Sequence, residues 1–239
     1  MRYIDHKQMG RSKQGWLDSH FHFSFAEYYH PDNVQFGVLR VINDDEIQPG
    51  TGFDTHPHQD MEIISYIIKG ELTHKDSMGY QRTLTRGQAQ YMSAGTGVWH
   101  SEYNLSKNHV LRLLQIWIFP DQKGYKPNYG DQTFAWEDRI DQWMRIAGSK
   151  ENGEAPIQIH ADINLYVTEI SSGKELNFVV QKGRQAYFVL IEGKAKINGQ
   201  VLEARDGMET VEEELNIQAM EQAHILLIEM KKEDHDLEK

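Results

Sequence analysis

The segment that decides the fold runs from residue 50 to residue 70 and reads GTGFDTHPHQDMEIISYIIKG. A second segment, residues 95–104, reads GTGVWHSEYN. Each begins with closely spaced glycines, which tight turns between short strands require. Each also carries two metal-ligand side chains separated by one residue, in His56-Pro57-His58 and in His100-Ser101-Glu102. The two segments therefore predict short strands that bring ligand residues together.

The spacing of these pairs predicts a cluster. Alternate side chains of a strand point to the same face, so His56 and His58 share a face, as do His100 and Glu102. Because 12 histidines in 239 residues make roughly 0.6 His-x-His pairs expected by chance, we interpret a further pair, His20-Phe21-His22, as structural. Two strands that each present a ligand pair supply four converging ligands, and we expect them to bind one divalent metal ion.

Composition limits the chemistry and the partners. The chain contains no cysteine, which excludes disulfides, Cys-ligated zinc, iron–sulfur clusters and thiol nucleophiles, so a metal must be held by nitrogen and oxygen. The 25 basic and 36 acidic residues give a net charge of −11, which argues against direct nucleic-acid binding. Residues 1–15 lack the apolar core of a secretory signal, and no run approaches the ~18 apolar residues of a membrane span. We expect a cytoplasmic protein without membrane contact.

The rest of the chain predicts an all-β protein with two related halves. Its apolar runs are short, rich in Val, Ile, Tyr and Phe, and separated by glycine or polar turns. Asn198-Gly199 is a two-residue hairpin signal. Residues 67–70 (IIKG) resemble residues 190–193 (LIEG), which indicates an internal repeat. We expect one barrel over residues 1–134, a second over residues 135–231 and a charged tail over residues 232–239.

The motif spacing resembles that of the cupin superfamily. Its first motif, a glycine, two histidines, a glutamate and a closing glycine, is matched with one extra residue before the last position by Gly50, His56, His58, Glu62 and Gly70. The end of its second motif is matched by Gly97, His100 and Asn104. Gly95 stands where that motif usually has proline.

Further segments resemble the pirin family across roughly residues 15–130, namely GWLDS (15–19), RVINDD (40–45), THPH (55–58), HKDSMG (74–79), SAGTG (93–97) and QIWI (115–118). The resemblance implies a bicupin of two stacked, jelly-roll-type antiparallel β-barrels with little helix. It also implies one mononuclear metal in the N-terminal barrel, held by His56, His58, His100 and Glu102. Glu62 is then expected beside the ion rather than on it.

The second half has no matching cage. Aligning Gly193 with Gly70 places Val179 and Gln181 where His56 and His58 stand. We therefore expect the C-terminal barrel to be a degenerate, structural cupin without metal.

Three imidazoles and one carboxylate suit Fe(II), and also Mn, Ni, Co, Cu or Zn, with positions left open for substrate. The resemblance implies a quercetin 2,4-dioxygenase, an oxidoreductase that opens flavonols with dioxygen and releases carbon monoxide. Glu102 is the expected base for the flavonol 3-hydroxyl. An apolar mouth for the flavonol is expected from the residues that flank the ligands, which are Phe53, Tyr91, Met92 and Trp99.

Two other functions fit the sequence less specifically. Some pirins resemble regulators that bind a protein partner through a redox-sensitive metal, and the acidic composition permits this function. A sugar-phosphate isomerase cupin is disfavoured because no cluster of Lys and Arg lies near the motifs to hold a phosphate.

Overall fold

A computed structural model describes residues 1–232, so nearly all of the predicted charged tail lies outside the described residues. The chain forms two compact units. The N-terminal unit comprises Met9–Phe134 with Ile159–Ala161, and the C-terminal unit comprises Met1–Gln8, Ala135–Gln158 and the chain from Asp162 onward. The predicted boundary at residue 134/135 falls at this division, but the first eight residues do not belong to the N-terminal unit, in contrast to the sequence interpretation.

The N-terminal unit contains two antiparallel sheets. Its strands are β2 (Gly10–Lys13), β3 (Leu17–Phe21), β4 (Leu39–Ile47), β5 (Thr51–His58), β6 (Glu62–Lys69), β7 (Glu71–Asp76), β8 (Gln81–Thr85), β9 (Ala89–Ser93), β10 (Val98–Asn104), β11 (Leu111–Ile118) and β12 (Asn128–Gln132). The larger sheet has the order β12-β9-β6-β11-β4-β3-β2, and the smaller one has the order β5-β10-β7-β8.

The C-terminal unit also contains two sheets. Its strands are β1 (Arg2–Ile4), β13 (Met144–Gly148), β14 (Ile157–Gln158), β15 (Ile163–Ile170), β16 (Glu175–Val179), β17 (Arg184–Glu192), β18 (Lys194–Ile197), β19 (Gln200–Glu203), β20 (Gly207–Val211), β21 (Glu214–Ala219) and β22 (Ala223–Lys231). The sheet orders are β1-β20-β17-β22-β15-β13-β14 and β16-β21-β18-β19. All pairs are antiparallel except β13 with β14. Residues 1–8 belong here because β1 pairs with β20.

The all-β fold with little helix is confirmed. Helix within residues 1–232 is limited to short 3₁₀ turns at His6–Gln8, Trp136–Arg139 and Lys150–Asn152. None of the described helices is long and apolar enough to cross a membrane. The hairpin at Asn198-Gly199 is confirmed, since Ile197 pairs with Gln200 and both turn residues have positive φ.

The internal repeat is confirmed by the sheet topology. The central run β9-β6-β11-β4 of the first unit has the same connectivity as β20-β17-β22-β15 of the second, and β5-β10-β7-β8 matches β16-β21-β18-β19. Gly70 and Gly193 occupy equivalent turns of the two units, with φ of 76° and 86°. A Cβ at Gly70 would lie 2.6 Å from the Val110 carbonyl oxygen, and one at Gly193 would collide with the Gln222 carbonyl oxygen. Both turns therefore require glycine.

The register corrects one detail of this repeat. In the first unit the buried-face pairs of β5 with β10 are His58–Val98 and His56–His100. In the second unit the buried-face pairs of β16 with β21 are Phe178–Leu215 and Leu176–Ile217. The counterparts of His58 and His56 are thus Phe178 and Leu176. Val179 and Gln181 were assigned wrongly, because residues 178 and 193 are 15 positions apart whereas residues 58 and 70 are 12 apart.

Candidate metal centre

Strands β5 and β10 bring the three predicted histidines together. His56 and His100 are cross-strand partners, and His58 follows two residues later on the same face. The register shifts between His100 and Glu102, which marks a β-bulge in this pair. Bulges re-aim side chains next to functional sites. The local sequence thus places three imidazoles within one small volume.

The imidazoles face one another closely. One ring nitrogen from each of His56, His58 and His100 lies within 4.8 Å of the others. The ring centroids are 4.5 Å apart for His56 and His100, and 4.9 Å apart for the other two pairs. His56 Nδ1 lies 2.7 Å from the carbonyl oxygen of Asp54 and donates to it, which leaves the Nε2 lone pair directed at His100 Nε2, 3.1 Å away.

Burial keeps the rings of His58 and His100 neutral. It lowers the pKa of His58 to about 4, with a smaller contribution from His100 and His56. It lowers the pKa of His100 to about 3, with a smaller contribution from His56 and His74. Neutral imidazole is the form that binds a metal. Both rings are therefore ready to coordinate at neutral pH.

Glu102 is held by three donors. Its Oε1 accepts hydrogen bonds from Ser65 Oγ at 3.0 Å and Gln90 Nε2 at 2.7 Å. Its Oε2 accepts one from Gln115 Nε2 at 2.6 Å. A carboxylate oxygen has two lone pairs, so Oε2 keeps one acceptor position among the described residues. The buried side chain is thus fixed with one oxygen available to a ligand.

The ligand atoms of the four predicted residues do not all lie within 4.8 Å of one another. Glu102 shares a group with His100 and His74, whose ligand atoms also lie within 4.8 Å of one another. His100 belongs to both groups and joins them. Glu102 also lines the same cavity as His56 and His58.

The residues fit a divalent transition metal. Two imidazole Nε2 atoms that face each other at 3.1 Å cannot both remain protonated in neutral rings. His100 Nδ1 is buried and has no hydrogen-bond partner within residues 1–232. A cation bound between the rings would accept the Nε2 lone pairs of both. The nitrogen and oxygen donor set matches first-row metals.

His74 is a functional candidate that the sequence analysis missed. It is fully buried, its Nε2 lies 3.1 Å from Asp76 Oδ2, and its ring stacks on Tyr129 at 4.4 Å. Its ring centroid is 5.3 Å from that of His100. The signal was present in the alternation of β7, where His74 and Asp76 share the buried face.

A cavity of about 410 Å³ opens beside the ligands, a volume within the range of small-molecule sites. Its walls combine aromatic and polar side chains from both sheets of the N-terminal unit. They are Ser12, Gln14, Trp16, Leu17, Ser19, Phe21, Phe25, Ala26, Asn43, Asp45, Phe53, His56, His58, Glu102, Gln115 and Trp117.

Of the predicted substrate residues, Phe53 lines this cavity, with its ring 6.4 Å from that of His56. The structure places the other three elsewhere. Tyr91 lies between the buried Gln90 and Met92, and its hydroxyl accepts a hydrogen bond from Asn128. Met92 packs in an apolar cluster with Ile63, Val98 and Tyr129. Trp99 points away from His100 and is 54% exposed.

Strand alternation explains why two predicted residues lie away from the cavity and why two residues of the cavity wall were not predicted. Adjacency in sequence put Trp99 and Tyr91 on the list, but neighbours in a strand face opposite sides. The same rule places Gln115 and Trp117 of β11 on the cavity side. The Trp117 ring lies 4.8 Å from that of His58, edge to face. The QIWI segment was thus the overlooked signal for the cavity wall.

Glu62 is buried and bonds away from the ligand cluster. Its Oε1 accepts from Ser93 Oγ at 2.6 Å and lies 3.2 Å from His160 Nδ1. On β6, Glu62 and Ser65 are separated by an odd number of positions, so their side chains lie on opposite faces of the strand. Ser65 is on the face that bonds Glu102. The hydrogen bonds of Glu62 therefore tie Ile159–Ala161 to the N-terminal unit.

Fold and site together define the class: a duplicated, two-sheet β protein of the cupin type with a histidine-rich candidate metal centre in its first half. The chain belongs to the pirin family. The pirin family model matches residues 4–118, and the model of the quercetinase C-terminal cupin domain matches residues 146–230.

Relatives in bacteria match nearly the whole chain. A protein of Escherichia coli K12 named quercetin 2,3-dioxygenase is 38% identical over 224 residues, which are 93% of this chain and 95% of that protein. A pirin-like protein of Caulobacter vibrioides is 39% identical over 230 residues, which are 95% and 99%. The crystal structure of the bacterial pirin YhhW from Escherichia coli in complex with nickel(II) has a TM-score of 0.90 and 35% identity, covering 97% of this chain and 99% of that one.

Proposed function

We propose that this protein is a metal-dependent dioxygenase that opens flavonols such as quercetin by 2,4-cleavage and releases carbon monoxide. One observation carries the proposal: His56, His58 and Glu102 line one cavity with His100 directly behind them, and five aromatic side chains form part of its walls, namely Trp16, Phe21, Phe25, Phe53 and Trp117. A planar phenol suits such walls. The printed name of the relative from Escherichia coli K12 supports the same substrate.

His56, His58, His100 and Glu102 are the proposed ligands of one ion per chain, with Fe(II) as the expected metal and Mn, Ni, Co, Cu or Zn as alternatives. The nickel complex of YhhW supports a metal site in this family without fixing the metal of this protein. When bound, the ion supplies Lewis acidity to a phenolic oxygen and access to dioxygen chemistry.

The aromatic walls orient the substrate. Trp117 stands edge-on to His58 at 4.8 Å and to Phe25 at 5.5 Å, while Trp16 packs edge-on to Phe53 at 5.1 Å. Such packing fixes the rings that a planar ligand would contact. These side chains also exclude water from the reacting face, which strengthens polar interactions there.

Glu102 is the proposed base. Its Oε2 has one acceptor position that Gln115 leaves open, and in this proposal that position takes the proton of the flavonol 3-hydroxyl after Glu102 has partly released the ion. The resulting enolate is electron-rich and reacts with dioxygen. The C2–C3 and C3–C4 bonds break, carbon 3 leaves as carbon monoxide, and both oxygen atoms of dioxygen remain in the ester product. The balance needs no further oxidant.

The test is aerobic incubation of metal-loaded protein with quercetin. We expect loss of the visible absorbance of quercetin, consumption of one dioxygen and release of one carbon monoxide per turnover. Metal-free protein and Glu102→Gln are the matched controls.

Release of carbon monoxide distinguishes 2,4-cleavage from dioxygenase activity in general. Ring opening without carbon monoxide would contradict 2,4-cleavage but not dioxygenase activity. Absence of turnover with each of the six metals would contradict the enzyme proposal and would favour the regulatory alternative.

A further inference from the structure

The cavity has a polar wall that the proposed reaction does not use. Asn43 and Asp45 lie two residues apart on β4, both are buried and both line the cavity. Asp44, between them, faces the other way and forms a bidentate ion pair with Arg112, with distances of 2.8 and 2.6 Å. The alternation of β4 thus separates a carboxylate with a cation partner from a polar pair that faces the cavity.

Asn43 carries an unused acceptor. It is only 4% exposed, and its Oδ1 has no hydrogen-bond partner in the described part of the chain. A buried amide oxygen without a partner is rare in folded proteins, because it has lost its hydrogen bond to water. Since this atom belongs to a residue of the cavity wall, a ligand hydroxyl is the partner that would satisfy it.

Asp45 completes the wall. Its Oδ1 accepts a hydrogen bond from Ser19 Oγ, and within residues 1–232 it has no cation partner like the Arg112 of Asp44. Burial raises the pKa of Asp45 to about 7, with smaller contributions from Asp44 and Glu102. A carboxyl group in this range both donates and accepts hydrogen bonds near neutral pH. Asn43 and Asp45 together therefore offer complementary groups to a hydroxylated ligand.

Their position relative to Glu102 follows from the register. Asn43 pairs directly with Gln115, and Gln115 Nε2 bonds Glu102 Oε2. Asn43 is thus one strand spacing, about 5 Å, beyond the residue that holds the proposed base. A planar molecule whose reacting end lies at Glu102 can extend along this row of polar side chains.

We propose that Asn43 and Asp45 form a specificity subsite that binds a phenolic hydroxyl of the substrate, separate from the hydroxyl that reacts. The subsite rests on the proposed function for the choice of ligand and selects polyhydroxylated over sparsely hydroxylated flavonols. A site built to bond a hydroxyl rejects analogues that lack it, because its own polar groups are then left unpaired.

The experiment measures binding rather than turnover. Metal-free protein is titrated anaerobically with a flavonol that carries two hydroxyls on its pendant ring, with analogues lacking one or both, and with one lacking the fused-ring hydroxyls. Quenching of tryptophan fluorescence reports binding, because Trp16 and Trp117 line the cavity. The variant is Asn43→Leu, and the matched control is Gln14→Met at another polar position of the wall.

We expect wild-type protein to prefer the hydroxylated ligand over one of its analogues by about tenfold, the equivalent of one hydrogen bond. Asn43→Leu removes that preference and leaves the affinity for the analogue unchanged, whereas Gln14→Met keeps it. Asp45→Asn, which retains a donor and an acceptor, keeps part of it. If Asn43→Leu does not fold, Asn43→Ser withdraws the acceptor in its place.

Equal weakening of all ligands by Asn43→Leu, or no weakening at all, overturns the subsite. Absence of flavonol binding to both metal-free and zinc-loaded protein overturns it as well. This binding assay contains no oxygen and is therefore independent of the aerobic turnover assay. Discrimination between ligands in the first, with no ring opening in the second, would leave the subsite standing while the proposed function fails. Ring opening without discrimination would do the opposite.

Discussion

The two units place different side chains at matching positions of one strand pattern. On the buried faces of β5, β10 and β7 the N-terminal unit carries His56, His58, His100, Glu102, His74 and Asp76. Matched in that order by cross-strand register, the C-terminal unit carries Leu176, Phe178, Ile217, Ala219, Ala195 and Ile197. Every ligand-type side chain is replaced by an apolar one.

The replacement extends to the residues that support Glu102. Ser65, Gln90 and Gln115 correspond to Phe188, Met208 and Leu227 through the same pairings of the larger sheets. The last three belong to one apolar cluster. The strand order therefore accommodates either a hydrogen-bonded polar interior or a close-packed apolar one. Function resides in the side chains rather than in the fold.

The largest expected effect removes the cage itself. His56→Ala together with His58→Ala should abolish stoichiometric metal binding, from an expected one ion per chain. Structural zinc sites with four ligands bind with roughly 10–16 kcal/mol, and on that scale the loss of two ligands weakens affinity by on the order of 10³-fold or more. Elemental analysis of protein purified without chelator measures this. The exposed His109→Ala is the matched control, and wild-type metal content in the double variant would contradict the ligand assignment.

The next effect separates metal binding from proton transfer. Glu102→Gln preserves shape but removes charge and the proton acceptor, so metal affinity should fall modestly while turnover of quercetin falls by roughly 10²–10⁴-fold. His100→Ala should reduce metal and turnover together. Both are measured on protein of known metal content. If metal-replete Glu102→Gln opens quercetin at nearly the wild-type rate, another group takes the proton.

The sequence contained most of the fold and part of the site. Glycine-bounded apolar runs predicted the strands, and the repeat around Gly70 and Gly193 predicted the duplication, because turns with positive φ constrain local sequence strongly. The pairing of β1 with β20 was not predictable, since a three-residue strand carries no pattern that names a partner over 200 residues away.

Site residues were predictable only where spacing reports a shared face. The i, i+2 pairs found the histidines, and the same rule applied to β7 and β11 would have found His74 and Trp117. Sequence adjacency led to Trp99 and Tyr91, which strand alternation directs away from the cavity. Asn43 and Asp45 could not be assigned, because which face of β4 lines the cavity depends on long-range pairing.

A smaller effect tests whether the apolar interior resists conversion. Ile217→His places an imidazole at the counterpart of His100, within an apolar cluster. Lost packing and an unpaired buried polar ring should lower the free energy of unfolding by roughly 3–5 kcal/mol, with no added metal. Urea unfolding measures it, and Ile217→Val, at about 0.5–1.5 kcal/mol, is the control. A stable Ile217→His variant that binds a second ion would contradict this prediction, because it would show that the C-terminal unit accepts a metal despite its apolar interior.

The last effect concerns Asp45, an acid that the polar interior buries with no cation partner among residues 1–232. Because burial raises the pKa of Asp45 from 3.8 to about 7, the folded protein binds this proton more tightly than the unfolded chain does. Below pH 3.8 both states are protonated, and the group imposes no penalty. As the pH rises from 3.8 through 7 the carboxyl destabilises the fold progressively, by on the order of 4 kcal/mol at most.

Asp45→Asn should remove this penalty while keeping a partner for Ser19. In metal-free protein the variant should match wild type near pH 4 and exceed it increasingly toward pH 8, as measured by urea unfolding at each pH. Asp18→Asn is a control of opposite sign, because the hydrogen bond from Arg11 lowers the pKa of Asp18 and the substitution removes stability above that range. Parallel stability curves for wild type and Asp45→Asn would mean that Asp45 is already charged in the folded state. Its part in the hydroxyl subsite would then be that of an acceptor alone, beside Asn43.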